Sequence, residues 1–67
     1  MGNSSTWFSV VDTANGQQKV LFDGETTKEL AIGRAQIYAD ATIGKICVQV
    51  FRGRTIGRQI FELRRDQ

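Results

Sequence analysis

The sequence predicts an α+β domain in which a four-stranded, mainly antiparallel sheet carries one helix on one face (ββαββ). Two observations lead to this fold class: strand-like runs come in two pairs, and each pair is joined by a glycine-containing turn. A third is a helix-like segment with a capping motif between the pairs. The 67 residues are expected to form a single small domain (1–67) without internal repeats, with 1–5 and 65–67 frayed.

The first hairpin is predicted from two strand-like segments around an Asn-Gly turn. Residues 6–11 are β-branched and aromatic, which favours a strand. Asn15 and Gly16 both tolerate a positive φ, so they predict the turn. Residues 19–22 form the return strand, and Asp23-Gly24-Glu25 is expected to end it.

The helix is expected to begin at Thr26, because Thr26 and Glu29 have the spacing of a capping box. Gly33 is expected to allow close approach to the sheet, and Gly44 to stop the helix. Apolar residues recur at three- and four-residue steps and predict the face that packs on the sheet: Leu30, Ala31, Ile37, Tyr38 and Ala41.

The second hairpin is predicted from a strand at residues 45–51, a tight turn at Arg52-Gly53 and a last strand at 55–64. A bulge is expected at Gly57, since the apolar alternation shifts after it. The chain from Arg64 onward is expected to be a frayed tail.

Alternation along the strands separates two faces of the predicted sheet, and a one-residue error in register would exchange them. The face expected under the helix carries Phe8, Val10, Val20, Phe22, Ile46, Val48, Val50, Phe61 and Leu63. The other, which we call the open face, carries Trp7, Ser9, Val11, Lys19, Leu21, Asp23, Lys45, Cys47, Gln49, Phe51, Arg58, Ile60, Glu62 and Arg64. Its apolar side chains exceed what a lone small domain exposes, which usually marks an interaction surface.

Positive charge is concentrated near the C-terminus. Residues 1–44 carry three cations against five anions, whereas residues 45–67 carry six cations against two anions. Arg52, Arg54 and Arg58 surround the predicted glycine turn, and clustered arginine is a common means of binding phosphate or carboxylate. The alternative is protection of an exposed sheet edge, where charges deter association between sheets.

The composition argues against an enzyme, a metal site and a bound cofactor. The chain has no histidine, which removes the usual general base, and one cysteine, which excludes an internal disulfide. Cys47 is expected to be structural or at an interface, because no activating group accompanies it. Apolar runs are too short to span a membrane and no secretory leader is evident, so a cytoplasmic protein is expected.

The pattern favours a non-catalytic binding module for nucleic acid, preferably single-stranded, because aromatic rings can stack on bases while cations follow the phosphates. The predicted contact residues are Trp7, Lys19, Lys45, Phe51, Arg52, Arg54, Arg58 and Arg64. The alternative is a protein-interaction or accessory protein that binds an acidic partner or forms a homodimer. That dimer would close the sheet face around Trp7, Leu21, Cys47 and Phe51.

The helix motif Thr27-Lys28-Glu29-Leu30-Ala31, followed by Ala35, Ala39, a strand and a glycine turn, resembles a group of small uncharacterised bacterial and phage proteins. In that group a hairpin with an early tryptophan precedes a Thr-Lys-Glu-x-Ala helix and a second hairpin. The resemblance covers most of the chain and implies the ββαββ fold. It implies no function, and the arginine-rich final hairpin departs from the group's pattern.

Overall fold

The computed structural model describes residues 6–54 and 57–66, and it confirms the predicted fold class. All strand pairs are antiparallel and form one sheet in the order β2-β1-β3-β4, with the helix packed on one face. The expectation of fraying at residues 1–5 and at Gln67 lies outside the described residues. The elements are β1 (Thr6–Asp12), β2 (Lys19–Thr26), α1 (Lys28–Ala41), β3 (Ile46–Arg52) and β4 (Arg58–Arg65).

The first hairpin turns at Gly16, which has a φ of 81°. Its second strand is longer than expected, since β2 continues through Asp23-Gly24-Glu25 to Thr26. These residues pair with β1, which is a central strand and offers hydrogen bonds on both sides. The predicted end of the strand at Asp23 is therefore wrong, because sheet pairing outweighs the local turn propensity of an Asp-Gly sequence.

The helix is capped by Thr27 and not by Thr26. The Thr27 hydroxyl accepts a hydrogen bond from the Leu30 amide at 3.3 Å, while Thr26 is the last residue of β2. The helix ends at Ala41, and Gly44 adopts a φ of 100° in the connection to β3. The threonine half of the predicted capping box is thus present one residue later along the chain. The glutamate half is not, because the residue three positions after Thr27 is Leu30.

The end of the helix is tied to the last strand by Arg65. Its guanidinium donates to the carbonyl oxygens of Ala39 at 3.1 Å, Gly44 at 2.9 Å, and Thr42. A cation at this position also suits the negative pole of the helix dipole. Because Arg64 and Arg65 belong to β4, the expectation that the chain frays from Arg64 is wrong for both residues.

The helix packs on the sheet through small side chains. Ala31, Ala35 and Ala39 are buried against the sheet, whereas Leu30 and Ile37 are 61% and 70% exposed. The predicted apolar stripe is therefore only partly right, because the buried face of the helix is made of alanines and excludes Leu30 and Ile37. The small alanine side chains let the helix lie close to the large side chains of the sheet. Gly33 plays no part in that approach, since a Cβ at Gly33 would meet no atom within 4 Å. The sheet residues buried in this core are Phe8, Val10, Ile46, Val48 and Val50.

The two hairpins are related by a pseudo-twofold axis that passes between the central strands β1 and β3. Each outer strand contains a bulge at the matching position, at Leu21 in β2 and Ile60 in β4, where one residue has no partner in the register. The segment 19–23 (KVLFD) thus corresponds to 58–62 (RQIFE). The expectation of a chain without repeats missed this relation, because each copy is short.

The bulges change which face several side chains occupy, since each shifts the strand alternation by one residue. Lys19 and Arg58 pair with residues of the helix side, and Val20 lies on the open face, 55% exposed. Leu21 and Ile60 pack against the core. The predicted faces of these five residues were therefore wrong.

Candidate functional site

Trp7 on the open face belongs to a network centred on Asp23. One Asp23 carboxylate oxygen accepts from the Trp7 indole N–H at 2.7 Å and from the Ser9 hydroxyl at 2.9 Å. The Arg54 guanidinium lies 4.1 Å from the Trp7 ring centroid and 3.7 Å from the other Asp23 oxygen. The bonds from Trp7 and Ser9, with a contribution from Arg54, lower the pKa of Asp23. The indole therefore already carries a stacked cation.

The rest of the open face largely satisfies its own charges. Arg64 pairs with Glu62 at 3.1 Å, and the Cys47 thiol lies 3.7 Å from the same carboxylate oxygen. Phe51 is half-buried in the middle of this face. Lys45 and Arg64 line a cleft at the far end of the sheet with Cys47 and Asp66. Within residues 6–54 and 57–66, the aromatic rings of this face therefore do not lie together with cations that lack an internal contact, contrary to the prediction.

Three arginines of the second hairpin lie at one end of the sheet. Arg52 and Arg58 are directly opposite each other on β3 and β4, at the register position of buried Phe8 and hence on the helix side. Arg54 lies in the connecting loop, over Trp7. Lys28, the first residue of the helix, lines the same pocket as Arg52. We call the surface formed by Lys28, Arg52, Arg54 and Arg58 the basic end.

Lys28 was missed by the sequence analysis. The strand order could have located it: in this antiparallel sheet, the C-terminal end of β2 and the β3–β4 turn lie at the same end of the strands. The helix begins directly after β2, so its first residues must start beside that turn.

The cations without an internal contact gather at the basic end. Of the nine lysines and arginines, five contact another group of the chain by an ion pair, hydrogen bond or cation–π contact: Lys19, Arg34, Arg54, Arg64 and Arg65. The side chains of the other four form no such contact with any residue of 6–54 or 57–66: Lys28, Lys45, Arg52 and Arg58. Three of these four belong to the basic end.

A pocket of about 540 Å³ lies beside these cations, between the start of the helix and the sheet. Its wall includes the apolar side chains of Phe8 and Ile60, and Glu29 is its single anionic lining residue in the described part of the chain. The positive pole of the helix dipole adds to the field of Lys28 and Arg52. The lining residues are Thr6, Phe8, Thr27, Lys28, Glu29, Arg52 and Ile60.

The loop that carries Arg54 is shaped by its glycines. Gly53 has a φ of 95°, and the Gly57 amide donates to the Arg54 carbonyl at 2.7 Å. A Cβ at Gly57 would collide with the carbonyl oxygen of Arg52 and lie 2.9 Å from that of Arg54. Gly57 therefore closes the loop tightly, while the predicted bulge falls at Ile60 instead.

The opposite end of the helix side is built around a buried carboxylate. Asp12 accepts from the Tyr38 hydroxyl at 2.6 Å and from the amides of Ala14 and Cys47 at 3.0 and 3.1 Å. Burial raises the pKa of Asp12, but these hydrogen bonds and the nearby charge of Lys19 outweigh it and lower the pKa overall. The same bond to Asp12 raises the pKa of Tyr38. The cluster is fully satisfied internally and serves the fold.

Neither a metal centre nor a membrane span is present in the described ranges. Residues 6–54 and 57–66 contain no group of three His, Cys, Asp or Glu side chains that could hold a metal ion. The helix α1 is neither long nor apolar enough to cross a membrane.

Comparison with known proteins assigns no relative. No known protein family, curated protein or solved structure matches the chain. The resemblance to small bacterial and phage proteins therefore stays a prediction.

Proposed function

We propose that the protein is a small non-catalytic binding module that contacts nucleic acid through the basic end. One observation carries the proposal: Lys28, Arg52 and Arg58 converge at one end of the sheet and form no ion pair with another described residue. Uncompensated cations at close range produce a positive potential that attracts a polyanion. Elsewhere in the described residues, four of the five cations contact another group of the chain through their side chains, so this surplus is local.

Arg54 and Trp7 extend this surface onto the open face. The guanidinium stacked on the indole can itself stack on a base, or it can move aside and expose the ring. Either arrangement favours unpaired bases, because a duplex keeps its bases stacked on one another. The preferred ligand is therefore a single strand, with its phosphates along the arginines.

The homodimer alternative has less support from the geometry. Of the four residues expected at its centre, Leu21 packs against the core, and Trp7 is engaged by Asp23 and Arg54. Cys47 and Phe51 remain on the open face. Sedimentation of the wild type and of Phe51→Glu tests this alternative: a dimer lost in the variant would favour it over the nucleic-acid proposal.

The nucleic-acid proposal is tested by measuring binding to a labelled mixed-sequence single strand at increasing salt concentration, with fluorescence anisotropy as the readout. If three to four cations neutralise phosphates, the logarithm of the binding constant should fall with that of the salt concentration with a slope of about −2 to −3. The same titration with a duplex of equal length should show weaker binding.

Two double variants with the same change in net charge separate a site from general attraction. Arg52→Ala/Arg58→Ala removes two cations at the basic end, while Lys45→Ala/Arg64→Ala removes two at the opposite end of the sheet. We expect the first pair to weaken binding about tenfold or more and the second to have a much smaller effect. Equal losses in both, or no binding by the wild type at low salt, would contradict the proposal.

A further inference from the structure

We propose that the basic end contains a specific site for a phosphoryl group, held between Arg52 and Arg58 on the helix side of the sheet. The inference deepens the proposed function, on which it rests, by naming the group that is recognised and the two side chains that recognise it. It rests on a difference in charge between equivalent cross-strand pairs of the two pseudo-symmetric hairpins.

The pseudo-twofold axis provides an internal reference for the Arg52–Arg58 pair. Under this axis β1 corresponds to β3 and β2 to β4, so the cross-strand pair Arg52–Arg58 is equivalent to Asp12–Lys19. Both pairs lie on the helix side, one residue from the bulge pairing. In the first hairpin the two charges are opposite. In the second hairpin they are the same.

A like-charged pair directly opposite in an antiparallel sheet is unfavourable unless something neutralises it. At Asp12–Lys19 the neutralisation is internal, and the surrounding contacts complete it: Tyr38 donates to Asp12, and the Lys19 ammonium lies 5.7 Å from the Tyr38 ring. At Arg52–Arg58 no described carboxylate lies within ion-pair distance of either guanidinium. Among the described residues, the Arg52–Arg58 pair therefore lacks a negatively charged group that would neutralise it.

The neighbourhood of the pair suits an anion with several acceptor oxygens. Two guanidinium groups on adjacent strands present forks of N–H donors, which match the oxygens of a phosphoryl group. Lys28 is a third cation, which lines the same pocket as Arg52, and Phe8 and Ile60 form part of the apolar wall of that pocket. A phosphate attached to a nucleoside could therefore place the attached ring against this wall.

The experiment measures thermal unfolding by circular dichroism in inorganic phosphate and in sodium chloride of equal ionic strength. Phosphate should raise the melting temperature of the wild type above its value in chloride. Arg58→Glu should remove this rise and, in chloride, should raise the melting temperature itself by about 4–8 °C. The second effect is expected because the cross-strand pair would then carry opposite charges, as Asp12 and Lys19 do.

Two further variants make the result unambiguous. Arg64→Glu makes the same charge change at the other end of β4, and it should keep the phosphate response. Arg58→Gln removes the positive charge without adding a negative one, so it should also lose the phosphate response. It provides the test if Arg58→Glu does not fold. A phosphate response retained in either Arg58 variant, no response in the wild type, or a lower melting temperature of Arg58→Glu in chloride would overturn the inference.

The same melts with a single-stranded oligonucleotide distinguish the two proposals. A phosphate response that depends on Arg58, with no oligonucleotide binding, would refute the proposed function and assign the site to free phosphate or a mononucleotide. Oligonucleotide binding that depends on the basic end, with no phosphate response, would refute this inference and leave the proposed function intact.

Discussion

Replacing Asp12 by alanine should remove a large part of the free energy of unfolding of this small domain. The side chain is 6% exposed and its carboxylate accepts three hydrogen bonds, from the Tyr38 hydroxyl and the amides of Ala14 and Cys47. Hydrogen bonds to a charged group contribute about 1.5–3 kcal/mol each. Water can replace the bond from the Ala14 amide, which lies in the turn, so two bonds count and the expected loss is about 3–6 kcal/mol. The free energy of unfolding of the whole domain is expected to be about 3–10 kcal/mol.

Asp12→Asn is the matched control, because it keeps an oxygen for the two amides and removes the charge. We expect it to cost about 1 kcal/mol at neutral pH. The folded-state pKa of Asp12 is below its ordinary value of 3.8, so ionised Asp12 stabilises the fold above that pH. That contribution is lost as the pH falls through the lower folded-state pKa, so the difference between wild type and Asp12→Asn should shrink there.

The assay is urea unfolding followed by circular dichroism, at neutral pH and through a series from pH 6 to 2. A loss below about 1 kcal/mol for Asp12→Ala would refute the assignment of Asp12 as a buried structural acceptor. A constant difference between wild type and Asp12→Asn at every pH would refute the lowered pKa.

Three further predictions concern how the elements are held together. Arg65→Met should lower the free energy of unfolding by about 2 kcal/mol, because the carbonyls of Ala39, Thr42 and Gly44 lose a charged donor, and Arg65→Lys should recover little of this loss, since one ammonium cannot span all three. Equal stability of the wild type and both variants in urea would contradict this role of Arg65. Ala35→Leu should lower the free energy of unfolding by about 1–3 kcal/mol by overpacking the core, whereas Ile37→Lys, at an exposed position, should change it by no more than about 0.5 kcal/mol. The reverse order of the two effects in urea unfolding would mean that the helix packs through its other face. Gly57→Ala should shift the amide resonances of the β3–β4 loop and lower the melting temperature, since its Cβ meets backbone oxygen; an unchanged spectrum would contradict the tight loop.

Residue patterns within the chain were enough to predict the type and order of the elements. Alternating β-branched residues, the Asn-Gly turn and a threonine cap act over a few residues, so the ββαββ order follows from local chemistry. The chain also determines that Arg52, Arg54 and Arg58 lie close together, because the hairpin joining β3 to β4 is short.

The tertiary structure decided which cations remain available and on which side of the sheet they lie. Arg65 and Arg64 are adjacent in sequence, yet one caps the helix and the other pairs with Glu62. Bulges at Leu21 and Ile60 moved Lys19 and Arg58 to the helix side. The physical reason is that a bulge and an ion pair both depend on the partner strand or helix, and residue spacing along one segment carries no information about that partner.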